Sequence, residues 1–280
     1  MVRQEAARRP DLGQSERPGG MAPVPPVVVA ALLCALMMAG CRPLPTRLTI
    51  RGGPSLDGLF ADLAAAYQKQ HPKVTVVTNF TCPPCVVLTP RGSDADFDIF
   101  ASLGQFEMDR LCQLGHLRFA SSTEVGRIAL ALVTSTHAKV EVRSLADLHK
   151  KSVRRIGVGD PKQVGVGYYA HKALTRAGLW EELEPRFVYS QSGCELLKWL
   201  GLGRDIDAAI VFAVCVGDEP GSVRSVTEFP PDLIPPVPLL LGVTSQAPQP
   251  EEARRFITFL RSPDGREILA RHKVQPVKDP

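Results

Sequence analysis

The 280-residue sequence is poor in aromatic residues and in net charge. Aromatic side chains make up 6% of the chain, and no basic stripe is interleaved with them, so a stacking surface for single-stranded nucleic acid is not indicated. The formal net charge is only +4, and part of it comes from an arginine-rich head segment. We therefore predict no nucleic-acid partner.

Motifs of the common enzyme classes are also missing from the sequence. It contains no nucleophile elbow, no phosphate-loop lysine motif and no paired carboxylates at helical spacing. Its six histidines show no metal-ligand spacing with one another. We therefore expect a protein that is not an enzyme.

The apolar run near the N-terminus, Val27 to Met38, is too short to span a membrane comfortably. It ends in Met38-Ala39-Gly40-Cys41, which resembles the lipobox of bacterial lipoproteins. The resemblance implies a signal peptide with lipobox over residues 1–41, lipidation of Cys41, and translation from Met1 or Met21. An uncleaved anchor helix is the alternative. Either interpretation places the protein outside the cytoplasm, periplasmic or on the cell surface, and tethered to the membrane.

Export changes the expected chemistry of the cysteines, because an oxidising compartment favours disulfides. Five cysteines follow the lipobox: Cys82, Cys85, Cys112, Cys194 and Cys215. Since five is an odd number, at least one thiol is free, pairs with another molecule or binds a ligand. The motif Cys82-Pro83-Pro84-Cys85 suits a reducible disulfide, a redox pair or half of a soft-metal site, and its four residues do not decide among these.

Strand and helix patterns alternate after a proline-containing linker over residues 42–47. Leu48-Thr49-Ile50 predicts a strand, Ser55 the N-cap of a helix that ends near His71, and Val74 to Phe80 a second, parallel strand. Such a unit places a helix N-terminus at the carboxyl edge of the first strand, where backbone amides favour an anion.

Further units of the same kind follow. The segment Asp96 to Ser102 predicts a strand that delivers Ser102 to the same edge. The glycine-rich segment Asp160 to Gly167 opens a helix and is suited to wrapping an anion with backbone amides. Repeated strand and helix units in two groups predict an α/β protein of two lobes.

Several motifs occur in the order found in periplasmic molybdate-binding proteins, the family that residues 48–275 resemble. The motifs that carry this resemblance most specifically are Gly159-Asp160-Pro161-Lys162 and Asp207-Ala208-Ala209-Ile210-Val211. It implies a type-two solute-binding protein of an ABC importer, with two lobes, each a mixed sheet flanked by helices, and a ligand cleft between them. We expect residues 48–126 and 245–280 in lobe 1 and residues 127–244 in lobe 2.

The resemblance also implies a tetrahedral oxyanion ligand, molybdate or tungstate, held by hydroxyls and by backbone amides at helix N-termini. Carried over by motif, the binding positions are Ser55, the loop that contains Thr81 and Cys82, the amides around Val166 and Gly193, and Phe212. Phe212 stands where the family has a tyrosine, so it cannot donate a hydroxyl.

Four cysteines fall at or near these positions: Cys82, Cys85, Cys194 and Cys215. Four converging thiolates are a ligand set for zinc or an iron–sulfur cluster, and fewer of them suit copper(I) or a trivalent metalloid. Two disulfides, one in each lobe, are the structural alternative. An oxyanion carrier with incidental cysteines is the third.

These observations predict a lipid-anchored, monomeric receptor that passes an inorganic ion to an ABC permease in the membrane. Its expected ligand is molybdate or tungstate or, if the cleft cysteines act as ligands, a thiolate-bound soft metal or metalloid. One alternative is a thiol-disulfide or metal-cluster redox lipoprotein on the same scaffold. Another is a docking lipoprotein with an inactive cleft.

Overall fold

A computed structural model describes residues 45–81, 96–203, 206–217 and 221–277, without the side chains of residues 118–121. The predicted signal peptide, Cys41 and the pair Cys82 and Cys85 lie outside the described residues. Within the described part of the chain, no helix is both long and apolar enough to cross a membrane.

The described residues form strands and helices in an alternating order. The strands are β1 (Thr46–Gly52), β2 (Val74–Phe80), β3 (Ile99–Leu103), β4 (Leu117–Ile128), β5 (Leu130–Ser135), β6 (Ile156–Gly159), β7 (Phe187–Ser190), β8 (Ala208–Phe212), β9 (Val223–Glu228), β10 (Val237–Thr244) and β11 (Gln275–Pro276). The α-helices are α1 (Asp57–Gln70), α2 (Gln105–Gln113), α3 (Gly165–Arg176), α4 (Trp180–Leu183), α5 (Gly193–Gly201), α6 (Pro250–Phe259) and α7 (Pro263–Arg271).

The strands form two mixed sheets. The first has the order β11-β4-β10-β3-β1-β2 and the second the order β7-β6-β8-β5-β9. Strand β1 pairs in parallel with β2 and β3, which confirms the predicted strand–helix–strand unit. In the second sheet β6 pairs in parallel with β7 and β8. Strands β3, β6 and β8 are buried along their whole length, as parallel strands covered on both faces are.

The chain passes between the sheets at two places that differ from the predicted lobe boundaries. β4 lies in the first sheet and β5 in the second, so the first crossing is at Ala129. The apolar run over residues 128–134 is therefore divided between the two sheets, and nothing in such a run indicates where its pairing changes. The second crossing is the proline-rich segment 229–236, and β10 pairs antiparallel with β3 in the first sheet. The expected boundary after residue 244 thus lies one strand too late.

The first helix begins differently from the prediction. Ser55 is not its N-cap but the middle residue of a 3₁₀ turn, Pro54–Leu56, which precedes α1. Gly53 caps this turn in an extended conformation, and Pro54 occupies its first position, where its fixed φ suits a helical start. The turn places the Ser55 side chain at the end of β1 without a capping role.

The C-terminal helices pack back onto the first lobe. Tyr67 of α1 is fully buried, and its hydroxyl donates to Glu252 Oε1 of α6 at 2.5 Å. Arg255 donates to the other oxygen of the same carboxylate. Burial alone raises the pKa of Glu252, but the hydrogen bonds from Arg255 and Tyr67 lower it overall. This pairing fixes α6 against α1.

We predict that Tyr67→Phe lowers the free energy of unfolding by about 1–2 kcal/mol at neutral pH, because Glu252 loses a buried donor. Since the pKa of Glu252 is lowered in the folded protein, the difference is present above its unfolded pKa and disappears as the pH falls through its folded pKa. Denaturant unfolding at several pH values measures it. Tyr189→Phe is the control, since Tyr189 is exposed. Equal losses in the two variants would contradict the assignment.

Candidate functional site

A cavity of about 40 Å³ lies where the carboxyl ends of strands from the two sheets meet. One water molecule needs about 10–15 Å³ of such space, so the cavity has room for a ligand the size of a few water molecules. It is lined by four segments, 53–56, 100–103, 164–166 and 191–193, and by the single residues Glu107 and Phe212. The lining side chains include the hydroxyls of Ser55, Ser102 and Ser192, and among the described residues Glu107 is the only ionisable one.

The start of α3 brings backbone amides to this cavity. Val164 precedes the helix in an extended conformation, and Gly165, Val166 and Gly167 form its first turn. A Cβ atom on Gly167 would lie 2.2 Å from the carbonyl oxygen of Gly159 at the end of β6. Only glycine therefore permits this close approach of helix to strand. The first-turn amides of a helix lack intrahelical acceptors, so they favour an anion.

The start of α5 supplies a second set of amides. Ser192 is the N-cap, and its hydroxyl accepts from the backbone N–H of Glu195 at 3.2 Å. Glu195 in turn accepts from the N–H of Gln191 at 3.0 Å. A Cβ on Gly193 would lie 3.6 Å from Ser55 Oγ, so the start of α5 and the turn after β1 face each other at short range. Both lobes thus contribute polar groups to one cavity.

Glu107 of α2 lines the site but is not among the binding residues predicted from the sequence. Its carboxylate is buried, and Oε1 accepts from the Gly165 N–H at 2.6 Å while Oε2 lies 3.2 Å from Ser102 Oγ. Burial raises the pKa of Glu107, although the hydrogen bonds from Gly165 and Ser102 act in the opposite direction. A signal was present, because Glu107 shares a helix face with Leu111, four residues later, and an acid on an apolar face needs an explanation.

Contacts between α2 and α3 join the lobes across the cavity. Besides the bond from Gly165 to Glu107, the N–H of Gln105 donates to Tyr169 Oη at 2.9 Å, and Arg110 donates to the carbonyl of Gln163 at 3.3 Å. The aromatic ring of Tyr169 lies 6.3 Å from that of Phe212. In this structure the cleft is therefore closed by direct contact on the α2 side.

Four of the predicted binding residues line the cavity, and one does not. Ser55, Val166, Gly193 and Phe212 are lining residues. Thr81 is exposed at the end of β2, where its N–H donates to the carbonyl of Gly52 at 3.1 Å. It is not among the lining residues.

The cysteines occupy different positions around the site. Cys215 is buried in the 3₁₀ turn after β8, and its Sγ would lie 3.3 Å from a Cβ on Gly193. Cys194 is half-buried in the first turn of α5. Neither is a lining residue, and Cys82 and Cys85 lie outside the described part of the chain. Among the described residues, no three His, Cys, Asp or Glu side chains are grouped so as to hold a metal ion. The four-thiol site therefore stays a prediction.

The fold, with two lobes and a cleft between them, is that of the type-two periplasmic binding proteins. The family model for bacterial extracellular solute-binding proteins matches residues 48–272, and the chain belongs to this family. Solute-binding proteins of ABC importers act outside the cytoplasm, and the relatives of this chain are named as solute-binding proteins rather than enzymes.

Molybdate-binding proteins are among the relatives. ModA of Haemophilus influenzae, a molybdate-binding protein, is 25% identical over 245 residues, which cover 84% of this chain and 93% of the relative. YvgL of Bacillus subtilis, named as a candidate substrate-binding lipoprotein of an ABC transporter, is 23% identical over 256 residues, 88% of this chain and 96% of the relative. The structure of the periplasmic molybdate-binding protein of Azotobacter vinelandii has the same fold, with a TM-score of 0.68 at 18% identity, covering 83% of this chain and all of the other.

We predict that Ser192→Ala lowers the free energy of unfolding by about 1 kcal/mol, because the Glu195 amide loses its cap. Denaturant unfolding measures the change. Ser144→Ala is the matched control, since Ser144 also stands before a helical turn but makes no side-chain cap hydrogen bond. A loss of the same size in the control would refute the capping role.

Proposed function

We propose that this chain is the receptor of an ABC importer for a tetrahedral oxyanion of the molybdate and tungstate type. The convergence of two helix starts and the Ser55 hydroxyl on one small cavity carries the proposal. The names of the relatives support it, since several are molybdate-binding proteins.

The chemistry of the cavity suits an anion held by dipoles. Its candidate donors are the amides around Val166 and Gly193 and the Ser55 hydroxyl, and in the part of the chain that the structure describes no lysine or arginine lines the cavity. Helix starts carry a partial positive charge, so uncharged groups hold an anion without a salt bridge. A site of this kind selects by size and by the number of acceptor oxygens, and it releases its ligand when the lobes separate.

The expected location follows from the N-terminal sequence. The lipobox-like segment that ends at Cys41 supports a lipid anchor on the outer side of the membrane. From there the receptor passes its ion to the permease. The B. subtilis relative, whose name includes the word lipoprotein, supports the same arrangement.

Calorimetry on the full chain, with the thiols reduced and then oxidised, tests the ligand class. We expect molybdate and tungstate to bind with one ion per chain in both thiol states. Arsenite, zinc and copper(I) are expected to give no comparable binding. Tight binding of one of these soft ions, restricted to the reduced protein, would replace the oxyanion proposal with the four-thiol site.

The position of Gly193 gives a sharper test. A methyl group there would project toward Ser55 Oγ and Cys215 Sγ, so Gly193→Ala narrows the cavity. We expect it to weaken molybdate binding by about tenfold or more, equivalent to ~1.4 kcal/mol. Gly201→Ala is the matched control, because the added carbon meets Ser222 at 3.3 Å at the other end of the same helix. Equal affinities in the two variants would place the anion elsewhere.

A further inference from the structure

We propose that anion capture in this cleft is coupled to one proton, which either Glu107 or the incoming anion supplies. Glu107 is then the residue that decides which protonation state of an oxyanion is accepted. This inference rests on the proposed function, because it concerns the same cavity. It adds a specificity-determining residue that none of the predicted binding positions includes.

The geometry places Glu107 where an anion is expected. Its Oε1 takes the amide of Gly165, the first residue of α3, and the carboxyl lines the cavity beside Val166. Both groups that contact it by hydrogen bonds, the Gly165 N–H and the Ser102 hydroxyl, are electrically neutral. An ionised Glu107 would therefore place a second negative charge beside any bound oxyanion, and burial makes such a charge costly even though its two hydrogen-bond donors favour it.

The hydroxyl of Ser102 indicates where a proton is held. Ser102 Oγ lies 3.0 Å from the carbonyl oxygen of Gly104 and 3.2 Å from Glu107 Oε2, but it has a single proton to donate. A carbonyl oxygen only accepts, and so does an ionised carboxylate. When Glu107 is ionised, the two acceptors share this one proton; when Glu107 Oε2 is protonated, it can donate to Ser102 Oγ while Ser102 donates to Gly104, so that each contact has its own proton. The arrangement thus accommodates a neutral Glu107 better than a charged one.

Within the described ranges, few charged groups lie near Glu107. Strands β3 and β10, against which α2 packs, contain no ionisable side chain. On β4, Glu124 and Arg127 pair with each other at the surface. From α3, the phenol of Tyr169 interacts electrostatically with Glu107 and accepts from the Gln105 N–H. On α2 itself, Arg110 favours the ionised carboxylate. Burial is the larger influence and raises the pKa of Glu107.

The coupling has two equivalent forms. A fully deprotonated anion such as molybdate is held while Glu107 keeps its proton and stays neutral. An anion that carries its own proton, such as hydrogen phosphate, donates that proton to an ionised Glu107. In both cases the complex contains one proton more than the ionised protein with the bare anion.

Proton uptake during molybdate binding tests the coupling directly. Calorimetry on the full chain, repeated in buffers of different ionisation enthalpy, counts the protons taken up. Above the pKa of Glu107 we expect the protein to take up one proton per molybdate bound. The affinity for molybdate should then fall by up to about tenfold for each unit of rising pH. Glu107→Gln should take up none and bind with an affinity that does not change with pH. Asp109→Asn is the matched control, since Asp109 is exposed two residues later on the same helix, and it should behave as the unmodified protein does.

The outcomes separate this inference from the proposed function. Binding of molybdate to the unmodified protein, with flat affinity and no proton uptake up to alkaline pH, overturns the coupling and leaves the oxyanion receptor standing. Absence of binding by the unmodified protein at every pH overturns both. Because proton uptake is measured on the unmodified protein, the test survives a Glu107→Gln variant that does not fold.

Discussion

The cleft depends on one constraint, that the unpaired backbone amides at buried helix starts need acceptors. At the start of α5 the acceptor comes from the helix's own N-cap, because the Ser192 hydroxyl accepts from the Glu195 amide. At the start of α3 the acceptor comes from the other lobe, because the Glu107 carboxyl accepts from the Gly165 amide. The two solutions differ in consequence. A serine cap leaves the remaining amides of α5 available without adding charge, whereas a glutamate cap brings a titratable group into the cavity. The polarity of the site is thus set by how each helix is capped.

The two crossings between the sheets bring these helix starts together. Ala129 and the segment 229–236 let the chain leave and rejoin the first sheet, so that β10 pairs with β3 and β4. The carboxyl ends of β1 and β3 then face those of β6 and β8 across the cavity. Buried anchors hold the first lobe in this position. Asp98 accepts from the N–H groups of Thr49 and Gln249, which ties the start of β3 to β1 and to the residue before α6.

The sequence predicted this arrangement where local patterns were strong. Helical spacing in α1 and β-branched runs in β2 identified the first unit, and motif resemblance located Ser55, Val166, Gly193 and Phe212 at the cavity. Prediction from the sequence failed where an element's position depends on pairing between distant segments. β4 and β9 lack a clear alternation, and the change of sheet at Ala129 occurs inside an apolar run. Glu107 was overlooked for the same reason, since its role requires the α3 amide, 58 residues away, to be its partner.

Glu107 belongs to the first lobe and its hydrogen-bond partner, the Gly165 amide, to the second. Ionisation of Glu107 therefore changes the strength of the contact between the lobes as well as the charge that a ligand meets. An ionised carboxylate accepts a stronger hydrogen bond than a neutral one, and it therefore strengthens the contact between α2 and α3. The same charge opposes an incoming anion. In the coupling proposed above, neutralising Glu107 removes the repulsion and also weakens the contact between α2 and α3. Anion binding, protonation and contact between the lobes would then act on a single carboxyl group, and linkage requires that each alters the equilibrium of the others.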